Sequence, residues 1–182
     1  MPSLIRGPSR ADALVSAINQ ILVADGIPGL SMRRIAEVSR VSTGSMVHHF
    51  GGKARLITLA ATFTARQLHD DIRWRAGSDG VCAFLPRDDD GVLLHRAWLA
   101  WVELGRSEPE VEPVVALTRR QEVSLLADAI DHRHARDGLD LLTAVVTGLR
   151  VEICAPTRPM PPARAAALLR AHLGEPRHLA AD

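Results

Sequence analysis

The chain has 182 residues, and several common features are missing or scarce. It contains two cysteines, Cys82 and Cys154, far apart and each in an apolar neighbourhood. That rules out a disulfide framework and argues against a zinc site; buried free thiols are the simpler reading. No apolar run approaches the roughly 18 residues of a membrane span. The opening Met1–Pro8 stretch lacks the hydrophobic core of a signal peptide, so the protein reads as cytoplasmic with no membrane partner. No segment alternates apolar and polar residues with a strand period, and no internal repeat appears. Nothing supplies an activated nucleophile, a phosphate-cradling loop or a complete metal-ligand set. The expectation is therefore a non-enzyme without cofactor or metal. The fold class that remains is all-α.

Lysine is nearly absent: Lys53 is the only one, and the remaining basic charge is arginine. The net charge of +1 hides an asymmetry. Residues 1–60 hold seven basic groups (Arg6, Arg10, Arg33, Arg34, Arg40, Lys53, Arg55) against Asp12, Asp25 and Glu37, leaving +4, so the remainder carries −3. A basic head on a mildly acidic body suits a phosphate-facing domain joined to one that meets no phosphate.

Residues 1–9 are rich in proline, glycine and serine and read as a mobile arm, with Arg6 and Arg10 available to phosphate. A first helix follows over Arg10–Ala24, with Leu14, Val15, Ile18, Ile21 and Leu22 on one face. Ser31 is placed to cap a second helix carrying Met32, Ile35 and Ala36 on one side. Ser42 is placed to cap a third, with Met46 turned inward and Thr43, Ser45, His48 and His49 outward. Only Ser39, Arg40 and Val41 separate these two short helices, so they must cross steeply, as in a helix-turn-helix. The first helix supplies the third wall of that small bundle. The third helix is the candidate to enter a DNA major groove.

A long helix starts near Lys53 and stops at Gly77-Ser78-Asp79-Gly80. It is apolar on two faces and so suits a rigid connector. A short fifth helix is expected over Val81–Leu85, then a loop from Pro86 to Gly91. The acidic run Asp88–Asp90 reads as solvation or capping rather than metal binding. Further helices are expected over Val92–Leu104, Glu110–Arg136, Leu139–Cys154 and Pro161–Leu173, about nine in all, with a frayed tail from Gly174. The last two are apolar enough to suggest a homodimer interface four helices deep, carried by Leu142, Val145, Val146, Leu149, Ile153, Leu168 and Leu169. Phe63, Phe84, Trp98 and Trp101 are candidate walls of a pocket for a small-molecule effector, although core packing accounts for them equally well.

With these helices placed, the first 70 or so residues resemble the DNA-binding head of the tetracycline-repressor (TetR) family. The residues that carry the resemblance are Gly26, Ser31, Ile35-Ala36, Val41-Ser42-Thr43-Gly44-Ser45, His49-Phe50, Gly52-Lys53 and Leu56. The Ser-Thr-Gly, Phe-Gly-Gly-Lys and Ala-Trp-Leu-Ala-Trp stretches are most similar to the subgroup that includes choline/betaine-pathway repressors. The resemblance implies a helix-turn-helix DNA-binding domain over residues 1–52 and a helical ligand-binding and dimerisation domain over 53–182. It implies a homodimeric repressor that a small molecule releases from a near-palindromic double-stranded DNA operator. By the same resemblance Ser31, Met32, Arg33, Arg34, Ser42, Thr43, Gly44, Ser45, Val47, His48, His49 and Lys53 form the DNA-contacting set. One departure stands out. The family commonly has tyrosine where Val47 stands, and this chain has no tyrosine. Valine gives no phosphate hydrogen bond but can meet a thymine methyl.

Two rival readings have a basis in the residues. A helical-bundle metalloenzyme would use Asp128 and His132, one helical turn apart, with His134 nearby. An interaction module would keep the helix-turn-helix for structure only. The polar outer face of Thr43–His49 beside Lys53 speaks against the second.

Overall fold

The computed structural model describes residues 10–130 and 136–174. Every regular element among them is helical: α1 (Arg10–Ala24), α2 (Met32–Ser39), α3 (Thr43–Phe50), α4 (Lys53–Asp79), α5 (Asp89–Leu104), α6 (Glu112–Ala129), α7 (Arg136–Cys154) and α8 (Pro162–His172), with 3-10 turns at Ile27–Gly29 and Gly80–Phe84. The expected arm over residues 1–9 with Arg6, the histidines His132 and His134, and the tail beyond Gly174 lie outside the described residues.

Several boundaries differ from expectation: α6 ends at Ala129 rather than Arg136, and α7 begins at Arg136 rather than Leu139. The helix from Lys53 ends within the expected Gly77–Gly80 stop, at Asp79; Gly77 itself stays helical, because an exposed glycine only weakens a helix interior and does not break it. Gly80 then takes φ +54° and ends it. The stretch expected as a fifth helix is a tight 3-10 turn over Gly80–Phe84. The supposed loop at Asp88–Gly91 is instead the start of α5: Asp88 accepts a hydrogen bond from the Gly91 N–H at 2.9 Å, and Asp89 and Asp90 occupy the first turn. Carboxylates belong there, against the positive end of the helix dipole.

The described chain forms two compact units. The first comprises the residues up to Arg66 with Ala97–Ala116; the second comprises Gln67–Arg96 and Leu117 onward. In the first, the apolar positions of α1 that recur at steps of three and four (Leu14, Val15, Ile18, Ile21, Leu22) are all buried. Ile35 from α2 and Met46 from α3 are fully buried, and Leu56, Ile57, Ala60 and Ala61 from α4 join them. A fully buried side chain of that size stabilises by about 1.5–3 kcal/mol. Eight-residue helices are too short to persist alone, so this shared core is what holds α2 and α3. A buried polar relay also ties the unit: Trp101 Nε1 donates to Asn19 Oδ1 at 2.9 Å, Asn19 Nδ2 donates to Thr64 Oγ1 at 2.9 Å, and the Thr64 hydroxyl donates to the Ala60 carbonyl at 2.9 Å.

In the second unit Leu68, Ile72, Val81, Phe84, Leu85, Leu126, Leu142, Val146, Ile153, Ala165 and Leu169 are buried. The 3-10 turn is anchored by Arg75, whose Nη2 donates to the carbonyls of Ala83 (2.6 Å) and Leu85 (3.0 Å) and to Asp71 (2.6 Å). Both cysteines are buried in this unit and neither forms a disulfide, as their surroundings led one to expect.

Candidate functional site

The short helices of the head are closed at both ends by local chemistry. Ser31 Oγ accepts from the Arg34 N–H at 3.2 Å, and Ser42 Oγ accepts from the Ser45 N–H at 3.2 Å. Each satisfies one of the amide donors that a helix start leaves unpaired. Arg40 ends α2 in a left-handed conformation (φ 58°), and Gly51 ends α3 at φ 77° with its N–H on the Val47 carbonyl at 2.8 Å. Gly51 and Gly52 (φ 121°) then redirect the chain into α4, a turn that residues with a Cβ make only under strain. The reversal puts Lys53 at the first position of α4, beside the end of α3.

The result is a helix with one buried anchor, Met46, and a polar outer surface. Thr43, Gly44, His48 and His49 are exposed, Ser45 is half-buried, and Val47 is 53% exposed, so this apolar side chain is turned outward. Nothing lies within 4 Å of the point where a Cβ on Gly44 would stand. That side of α3 is flat and open. The imidazoles of His48 and His49 stand edge to face with centroids 5.0 Å apart.

The basic residues around it differ in their availability. Arg33, Lys53 and Arg55 are exposed, and none has an ion-pair partner among the described residues. Arg34 is engaged already: its Nε donates to Asp25 Oδ2 at 2.9 Å, and its Nη1 lies 3.2 Å from Glu37 Oε1. The Asp25 hydrogen bond and charge, followed by Glu37, push the Arg34 pKa up and keep the guanidinium charged. Met32 is half-buried. The expected DNA-contacting residues thus fall on the starts of α2 and α4 and the outer side of α3.

A family model described as "Bacterial regulatory proteins, tetR family" matches residues 14–59, the stretch that holds this capped helix pair and Lys53. That stretch is TetR-like. The chain is a DNA-binding transcriptional regulator. The HTH-type transcriptional regulator BetI of Burkholderia mallei and that of Burkholderia pseudomallei are each 27% identical to it over 163 residues, covering 82% of this chain and 84% of theirs. That likeness extends well past the head. In fold, the chain is similar to a transcriptional regulator from Rhodococcus sp. Rha1 (20% identity, TM-score 0.79, 91% of this chain and 95% of that one). It is also similar to the multidrug binding protein EbrR, solved in complex with malachite green (21% identity, TM-score 0.65, 90% and 98%).

Past the head, the four aromatic side chains expected to wall a pocket are divided between the units. Trp98 and Trp101 are buried in the first unit, where Trp101 serves the Asn19 relay, and Phe63 is half-buried there. Phe84 belongs to the second unit and lines a small cavity with Arg119, Glu122, Leu126, Val146 and Arg150. At its centre is a buried ion pair: Arg150 Nη1 donates to Glu122 Oε1 at 2.8 Å, and Arg150 Nε donates to the Phe84 carbonyl at 2.6 Å. Sequence reading passed over this pair, although one signal was present. Arg150 falls on the same face of α7 as Leu142, Val146 and Ile153, a place where charge needs a partner.

The residues expected at a dimer interface also divide. Leu142, Val146, Ile153 and Leu169 are buried within the second unit, and Val145 and Leu149 are half-buried. Leu168 is exposed (37%), and so are Leu141 (56%) and Val151 (49%) on α7. Asp128 is exposed. Among the described residues, no group of three His, Cys, Asp or Glu is arranged to hold a metal, and no helix is long and apolar enough to cross a membrane.

Proposed function

We propose that the protein is a cytoplasmic homodimeric repressor that binds a near-palindromic operator and is released from it by a small molecule. The observation that carries the reading is the outer face of α3. It joins Thr43, Gly44, Val47, His48 and His49 in one open surface flanked by Ser31, Arg33, Ser42 and Lys53. Hydroxyls read either base edge, glycine permits close approach, and Val47 offers an apolar contact for a thymine methyl. Lys53 at the start of α4 adds its ammonium to the helix dipole, a combination that favours a phosphate. Arg33 is the freer of the two adjacent arginines for a second phosphate, because Arg34 is held by Asp25 and Glu37.

The functional division falls between Gly52 and Lys53: residues 1–52 read DNA, and residues 53–182 bind the effector and dimerise. Leu141, Val145, Val151 and Leu168 carry the dimer contact, an apolar set that a lone protomer leaves open or half-covered. Two recognition helices about 34–36 Å apart then meet successive major grooves on one side of B-DNA. The effector acts by binding the DNA-free state better than the DNA-bound one.

Selection of genomic fragments from a random pool by the purified protein tests the reading. A palindrome enriched in the absence of any added ligand is expected, and no enriched motif would refute it. On the selected operator, Lys53→Ala is expected to weaken binding similarly on all sequence variants and to lower the salt slope by about one. A changed base preference would instead move Lys53 from the backbone to the bases.

A further inference from the structure

The cavity at Arg150 has an unusual balance of hydrogen-bonding groups. The Arg150 side chain is 7% exposed and its Nε and Nη1 are engaged, yet Nη2 has no partner. An unpaired buried guanidinium nitrogen is costly, and it is one of the few features that calls for an occupant. The cavity it lines is only about 10 Å³, room for no more than one water. Its rim is Arg119, an exposed side chain held by a single hydrogen bond from Nη1 to Thr147 Oγ1 at 3.2 Å. Val123, Leu126, Val146 and Phe84 are the apolar part of the remaining wall, and Thr143 and Thr147 complete it.

Charge selects the kind of occupant. Arg119 and Arg150 stand against Glu122 alone, so the lining carries a net +1. Two buried imidazoles of the same unit do not add to it. His69 and His95 have their pKa values lowered by burial first, with Arg150 among the further causes, and stay neutral. Glu122 is already neutralised by Arg150 at 2.8 Å, which leaves little to attract a cation. Arginine meets a carboxylate with its planar fork, and such charge-assisted bonds are about twice as strong as neutral ones.

We propose that this cavity binds the carboxylate end of a small molecule with an apolar tail, received by Arg150 Nη2 and by Arg119 swung off Thr147. The proposal rests on the reading of the body as the effector-binding part and names the chemistry of that effector. The cavity is one water in size, so a carboxylate oxygen takes that place at Nη2 and the tail leaves through the rim that Arg119 vacates.

The test is thermal stabilisation and calorimetric titration with straight-chain carboxylates from acetate to decanoate, each beside its primary amide and its alkylammonium analogue. Stabilisation by carboxylates over both analogues is expected. Arg119→Gln should weaken the best carboxylate about threefold, and Arg150→Lys, which keeps the charge but loses the free Nη2, by about tenfold or more. Glu122→Gln, nearly isosteric, should tighten it by about threefold or more, since it removes the opposing charge. Arg119 is exposed, so its variant keeps the proposal testable if the buried substitutions fail to fold. Equal binding of amides, preference for ammonium, or no binding by any carboxylate would overturn the proposal and leave Nη2 to a resident water. A carboxylate that binds as described but leaves operator affinity unchanged would uphold the subsite and refute its role as the effector site.

Discussion

His95 offers a prediction that can be worked through from geometry to a measured slope. It is 1% exposed in α5, and its Nδ1 stands 2.9 Å from the Gly91 carbonyl. A carbonyl only accepts, so that contact places a proton on Nδ1. Burial is the main cause that lowers its pKa from 6.5 to about 3, helped by the charges of Arg150 and Arg75. The folded protein therefore resists a proton that the unfolded chain accepts. Stability from this group is complete above about pH 6.5 and is lost as pH falls from there toward 3. At 1.36 kcal/mol per pH unit below the unfolded pKa, the loss between about pH 8 and pH 5 is about 2 kcal/mol. His69, also lowered by burial, acts in the same direction. Urea unfolding of the wild type and of His95→Leu at the two pH values measures the effect. Leucine does not titrate, so the difference in unfolding free energy between the two pH values should shrink by about 2 kcal/mol. The variant's absolute stability is free to move either way; the slope is the readout. An unchanged pH dependence would show that His95 is not the buried neutral group described.

Three further outcomes test the head and the assembly. Gly44→Ala should raise the melting temperature, because its methyl meets open space and alanine favours the helix by about 1 kcal/mol. The same change should weaken operator binding, measured by fluorescence anisotropy, if α3 approaches the groove closely; equal affinity would place Gly44 outside the contact. Ser42→Ala should cost about 1 kcal/mol in chemical denaturation through loss of the α3 cap, and should weaken DNA binding as α3 frays. The double substitution Leu141→Asp with Leu168→Asp should weaken dimerisation roughly a hundredfold, about 3 kcal/mol, while leaving the helical signal intact, since both side chains are exposed. Sedimentation that still shows a dimer at micromolar concentration would exclude this face.

The residues of the head announce their own structure because the interactions that define it are local. Ser31 and Ser42 are followed three residues later by the amides they cap, and the periodicity of Leu14 to Leu22 marks a single buried face. The start of α3 and the turn at Gly51-Gly52 could be read from neighbouring residues alone, as could the inward Met46; Val47 entered only through the family resemblance. Local signals failed where tertiary packing overrides them. Gly77 remains helical because the helix around it is held by packing of its other residues, and Val81–Phe84 is a 3-10 turn anchored by Arg75 rather than a free helix. The body was harder still. An apolar pattern establishes that α7 is buried along Leu142, Val146 and Ile153 but does not say what those residues meet. Whether Leu142 or Leu141 faces outward is set by the rotation of α7 against its neighbours, and one side chain's difference in register decides it. Trp101 could equally have walled a pocket; its N–H bond to Asn19, 82 residues earlier, shows that it serves the core of the first unit. The sequence by itself determined the helices, the head and the polar face of α3, since each depends on residues within a turn or two. Only the tertiary structure brought Arg150 onto Glu122, 28 residues away, and left one nitrogen unpartnered, because the meeting of two side chains from separate helices depends on packing geometry that neither helix contains.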